Sequence, residues 1–133
     1  MPRKRPRITS STKPTDSECR ILSVLWAQGP ATVREVFEQL NASHDMGYTT
    51  VLKFMQIMTE KGLLEKDTTV RPQVYQPTEP RQTTQRTLVS DLLDRAFAGS
   101  PGTLALQALA MRKSTPEELI EIRALLEKLE AGS

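Results

Sequence analysis

The chain has 133 residues, with 18 Lys and Arg against 16 Asp and Glu, and its single cysteine excludes both an intrachain disulfide and a multi-cysteine metal site. Apolar residues make up 38% and aromatic residues 5%, a lean core for one domain or one domain with an accessory arm, and one that leaves room for a subunit interface to complete the burial. No run approaches the ~18 apolar residues that span a bilayer, and no apolar segment follows the basic N-terminus, so a cytoplasmic chain without membrane insertion is expected.

Residues 1–14 carry Arg3, Lys4, Arg5, Arg7 and Lys13 among Pro2, Pro6 and Pro14, and have no apolar face. They read as a flexible basic arm, either a solvated tail or an electrostatic supplement to phosphate contacts. Thr15-Asp16-Ser17-Glu18 is a capping box, in which the hydroxyl caps a free N–H and the glutamate reaches back. The helix it opens has Cys19, Leu22, Leu25 and Trp26 on one stripe, with Ile21 at the margin, and stops at Gly29-Pro30. Thr32-Val33-Arg34-Glu35 repeats the box, and Val33, Val36, Phe37 and Leu40 follow at helical spacing. Asn41 to Asp45 is turn-like. A third helix begins near Tyr48, carries Val51, Leu52, Met55 and Met58, and ends at Gly62. Leu63–Lys66 and Gln73–Gln76 are short strand candidates around a polar tip, limited by Pro72 and Pro77. Three helices and a hairpin, in that order, predict a winged helix-turn-helix over 15–79, whose third helix enters a major groove.

From Pro80 the pattern changes. Arg81–Phe97 is a longer helix with Leu88, Leu92, Leu93 and Phe97 on one side, and Gly99-Ser100-Pro101-Gly102 breaks it. A short apolar segment follows, with Leu104, Leu106, Leu109 and Met111. Thr115-Pro116-Glu117-Glu118 then opens a last helix striped by Leu119, Ile122, Leu125, Leu126 and Leu129. Helices with such faces have too little to bury against one another, so 80–133 reads as a helical dimerisation region covered by a second copy. The expected fold class is mainly α with one small β-hairpin.

The residues suited to nucleic acid are Tyr48, Thr49, Thr50, Lys53 and Gln56 on the third helix, with Thr32 at the start of the second. Hydroxyls and helix N-terminal amides bind phosphate, Thr methyls meet thymine methyls, and Lys reaches guanine O6 or N7. Taken alone, Thr49 reads equally as a helix cap and Lys53 as a solvated charge. Arg71 near the hairpin tip, with Lys61 and Lys66, would grip flanking phosphate if all lie on one side; singly, each is an ordinary surface cation. Enzymatic readings lack parts, since His44 is the sole histidine, Cys19 falls on a buried stripe and no glycine loop cradles phosphate. No catalytic residue, metal site or cofactor is expected.

Leu22-Ser23-Val24-Leu25-Trp26, Thr32 to Val36, Tyr48-Thr49-Thr50-Val51, Lys61-Gly62-Leu63-Leu64, Arg71 to Pro77, Phe97 to Ser100 and the Glu118-Leu119 helix together resemble the penicillinase repressor family, the BlaI/MecI/CopY type. The resemblance implies a homodimer that binds double-stranded operator DNA at a dyad and represses beta-lactamase or other resistance and stress genes. It also implies a recognition helix carrying Tyr48, Thr49, Thr50 and Lys53, a wing carrying Arg71, and a membrane sensor-protease as the partner that relieves repression. Three positions depart from the pattern. Leu106-Gln107-Ala108-Leu109 has no Asn-Phe pair of the kind cut in staphylococcal members, no cysteine cluster stands near the C-terminus for copper, and Gln73 replaces a common wing aromatic. The alternative left by the acidic C-terminal half and the net charge of +2 is a winged-helix module that binds protein without sequence-specific DNA binding.

Overall fold

The computed structural model describes residues 13–43 and 46–132. It is mainly helical with one antiparallel hairpin: α1 Asp16–Gln28, α2 Val33–Ser43, α3 Tyr48–Glu60, β1 Leu64–Asp67, β2 Val74–Pro77, α4 Arg81–Ala96, α5 Pro101–Met111 and α6 Pro116–Ala131. The chain divides into two compact units at Asp91 and Leu92, within α4.

The first unit is a winged helix whose local signals do what their chemistry demands. Thr15 caps α1 through the Glu18 N–H while Glu18 accepts from the Thr15 N–H at 2.9 Å, and Thr32 and Glu35 form the same reciprocal pair at α2. Each such cap contributes about 1 kcal/mol. The core is one cluster in which Ile21, Leu22 and Leu25 of α1 meet Val33, Val36 and Leu40 of α2 and Val51, Met55 and Met58 of α3. Leu63, Leu64 and Tyr75 close it from the hairpin, and Val24, Trp26, Phe37, Met46, Leu52 and Phe54 pack at its edge.

The hairpin pairs Leu64 with Pro77, Glu65 with Gln76, Lys66 with Tyr75 and Asp67 with Val74. Ala31 adds a third, single-residue rung: its N–H donates to the Tyr75 carbonyl at 3.0 Å, and the Tyr75 N–H donates back at 2.8 Å. The root of the wing is thereby fastened to the residue just before the α2 cap. Gly62, at φ +84, makes the left-handed turn from α3 into β1, a conformation that costs a side-chain-bearing residue more than glycine.

Several expectations change. Ile21 is fully buried at the centre of the core rather than at the margin of its stripe. Asn41, Ala42 and Ser43 belong to α2 and are not a turn, since the helix runs most of a turn past Leu40, the last residue of its buried stripe; His44 and Asp45 lie outside the described residues. Pro77 sits within β2 opposite Leu64, tolerated because a strand's final rung needs no further donor from it. Residues 1–12 of the basic arm also lie outside the described residues, whereas Lys13 reaches Asp91 at 2.5 Å and Pro14 is buried, so those two join the packed unit. Trp26 is half-buried and donates from Nε1 to the Glu79 carbonyl at 3.2 Å.

One ion pair is built into the base of this unit. Glu18, only 2% exposed, already caps α1, and the same Oε1 accepts from Lys61 Nζ at 2.7 Å, tying the start of α1 to the end of α3. In the second unit α5 and α6 bury no residue: Leu106, Met111 and Ile120 are 72%, 76% and 65% exposed, and Leu125, Leu126 and Leu129 are also open. Ser100 caps α5, and Thr115 with Glu118 forms a third capping box ahead of Pro116.

Two measurements check this packing. Lys61→Met strands the buried Glu18 carboxylate without its cation, and urea denaturation is expected to show a loss of about 2–3 kcal/mol; an unchanged midpoint contradicts the pair. Burial, reinforced by the charges of Asp16 and Glu18, pushes the Cys19 thiol above its ordinary value. Because only the thiolate reacts, iodoacetamide at pH 8 is expected to alkylate the native chain more slowly than the urea-unfolded chain, with the gap narrowing as pH rises. Equal rates at pH 8 contradict the burial.

Candidate nucleic-acid interface

The geometry of α3 follows from its core stripe. Val51, Met55 and Met58 point inward, and at 100° per residue that places Thr49, Lys53 and Gln56 on the opposite side, where all are exposed. Thr49, Thr50 and Lys53 line an open concavity of about 450 Å³ together with Phe54 and Ile57. This face combines two hydroxyl-and-methyl side chains, one cation, one carboxamide and an apolar floor.

The residue that caps α3 is Gly47, in extended conformation and with no side-chain hydrogen bond to the first turn. The reading of Thr49 as a cap therefore falls away, since Thr49 lies inside the helix. Gly47 gives the first-turn amides of α3 no side-chain acceptor, and the positive end of the helix dipole lies at Tyr48.

Tyr48 stands at the edge of this face and is packed laterally. Its ring meets Phe37 of α2 edge-on, with centroids 5.7 Å apart and planes at 78°. Arg34, in the first turn of α2, lies over both rings, its guanidinium carbon 5.4 Å from the Tyr48 centroid and 5.9 Å from that of Phe37. Sequence reasoning passed over Arg34 because Thr32-Val33-Arg34-Glu35 was already accounted for as a capping box; a cation in the first turn of a helix, where the dipole disfavours it, was the available signal.

The wing root lies at the same corner. Burial, with a contribution from the Tyr48 phenol, pushes the Tyr75 hydroxyl above its ordinary value. Lys66 is the strand partner of Tyr75 and is exposed, and Thr32 follows the Ala31 rung. Arg71 lies on the exposed loop beyond the last rung, where Asp67 folds its carboxylate back on the Thr69 N–H at 2.9 Å and is held below the usual carboxylate range by the Thr69 hydroxyl and N–H. Lys61 does not join this set. It sits at the C-terminal end of α3, about 20 Å along the axis from Tyr48, and its ammonium is engaged by Glu18.

The described residues contain no group of three or more His, Cys, Asp or Glu that could hold a metal, and no helix among them is long and apolar enough to cross a membrane. The family model described as the penicillinase repressor matches residues 14–128. Two relatives from Mycobacterium tuberculosis, strains CDC 1551 / Oshkosh and ATCC 25618 / H37Rv, both named transcriptional regulator BlaI, are each 32% identical over 122 residues, covering 91% of this chain and 88% of theirs. A match across both units of the fold, with the hairpin and recognition-type helix in place, means that this chain belongs to the penicillinase repressor family.

Proposed function

We propose that the chain is a sequence-specific repressor that binds a dyad operator as a homodimer, each protomer laying α3 in the major groove of one half-site. Its family is that of transcriptional regulators of the penicillinase repressor type. The observation that carries the finer reading is the outward stripe of α3, where Thr49, Lys53 and Gln56 stand opposite the core stripe, near a helix N-terminus whose N-cap is a glycine.

Each side chain has a matching chemistry in the groove. Lys53 reaches guanine O6 or N7, Gln56 suits the adenine N6 and N7 pair, and the Thr49 and Thr50 methyls suit thymine. The α3 amides, Thr32 and the Tyr48 hydroxyl hold phosphate, while Lys66 and Arg71 of the wing reach the flanking backbone. Dimerisation is supported by the exposed leucines of α5 and α6, apolar side chains that a second copy would remove from water. Of the residues proposed for the interface, Leu92, Leu106, Leu109, Leu119, Leu125, Leu126 and Leu129 are exposed, and Leu88, Leu93, Phe97, Leu104 and Ile122 are half-buried. The target genes proposed are of the beta-lactamase or resistance class, and DNA binding places the protein in the cytoplasm.

Enrichment of duplexes from a random pool tests the reading: recovery of a common dyad supports it. Failure to enrich any sequence, with capture of a protein partner, favours the interaction-module alternative. Lys53→Ala is expected to weaken binding to the selected duplex by roughly tenfold, a contact of about 1–3 kcal/mol, while sedimentation still reports a dimer. Parent-like affinity removes Lys53 from the interface. The double substitution Leu125→Asp and Leu129→Asp is expected to give monomers with intact far-UV helicity and much weaker operator binding; a persisting dimer contradicts the role given to α6.

A further inference from the structure

Arg34 is the cation at this corner that the groove face and the wing leave without a task. It is exposed in the first turn of α2, where the helix dipole disfavours positive charge, and no ion pair among the described residues engages it. Glu35, its neighbour, is committed to the Thr32 capping box. What holds Arg34 is aromatic: the Tyr48 ring at 5.4 Å and the Phe37 ring at 5.9 Å from its guanidinium carbon. The rings take up none of its N–H donors in an ion pair among the described residues, so the guanidinium keeps the fork that fits two oxygens of a phosphate. Tyr48 immediately precedes Thr49, so the shelf that carries the guanidinium is continuous with the first turn of the reading helix.

We propose that Arg34 is a phosphate clamp, preset on the Phe37–Tyr48 shelf to grip one backbone phosphate at the edge of the half-site and so to fix the register of α3 in the groove. The clamp rests on the DNA-binding reading above. It positions and does not read bases, because phosphate contacts carry no direct sequence information. The ring contacts alone leave the charge of Arg34 opposed to the dipole at the start of α2, whereas a bound phosphate complements both the guanidinium and the helix dipole.

The test uses the full chain and the duplex that the parent protein selects from a random pool. Selective, salt-dependent binding by the parent establishes the underlying reading before any variant is scored; if the parent selects nothing, that reading fails and the clamp fails with it. Arg34→Ala is expected to bind about tenfold more weakly at fixed salt. Its plot of log affinity against log salt should be shallower by about 2, since each of two protomers gives up a contact worth roughly 0.9 in slope. The ratio of affinities for selected and scrambled duplex should stay unchanged. Arg34→Lys should restore the slope but only part of the affinity, having charge without the fork, and Phe37→Leu should weaken binding with the slope intact, having lost half of the shelf. An unchanged slope in Arg34→Ala, with a lowered melting temperature, would show that the residue merely staples α2 to α3 and would overturn the clamp. A relaxed preference at one base position would overturn it in favour of a base contact.

Discussion

Everything at the candidate interface depends on the way α3 is forced to share its circumference. Val51, Met55 and Met58 are fully buried because α1, α2 and the hairpin supply no other apolar surface large enough to seat the helix. Their spacing fixes the rotation of α3 about its own axis, and rotation alone decides which side chains face outward. Thr49, Lys53 and Gln56 are presented as a consequence of the core, and a slip of the stripe by one residue would turn them by 100°. The capping boxes at Thr15 and Thr32 fix where α1 and α2 begin, and the Ala31 rung fixes where the wing leaves the domain. The outward face of α3 is thus held from behind by packed secondary-structure elements, which is how a precise constellation is kept rigid.

The second unit answers to a different constraint. Its helices are well started, by Ser100 and by the Thr115–Glu118 box, and amply apolar, yet among the described residues α5 and α6 have none that is buried. Local stability without tertiary cover is the arrangement a subunit interface completes, and it accounts for the low aromatic content noted at the outset. A dimer formed there would also supply the second α3 that a dyad requires, so the two units divide the work: one presents a face, the other duplicates it.

How much of this could be read from the sequence follows from the range of each interaction. Capping boxes span three residues and stripes span one helix, so the helices, the hairpin and the outward placement of Lys53 were all legible. The Glu18–Lys61 pair joins residues 43 apart in the chain, and without it Lys61 looks like any surface cation available to DNA. Arg34 rests on a ring 14 positions away, across the turn between α2 and α3, and the Ala31–Tyr75 rung joins a loop to a strand. Thr49 reads as a cap only when taken alone: Gly47 holds the N-cap position and α3 starts at Tyr48, where the sequence suggests, which leaves Thr49 inside the first turn. Ile21 was placed at a margin because the stripe was drawn through Cys19 and Trp26, which the structure leaves only half-buried.

In the proposed complex two copies of one outward α3 face engage two half-sites. Hydroxyl-radical footprinting of the 133-residue chain on its selected duplex checks this arrangement. Two protected patches related by a dyad are expected, their centres one helical turn or a whole number of turns apart, about 10 base pairs per turn, with the intervening backbone accessible on the far side. A single protected patch without dyad symmetry, or uniform protection that does not distinguish the selected duplex from a scrambled one, would contradict it.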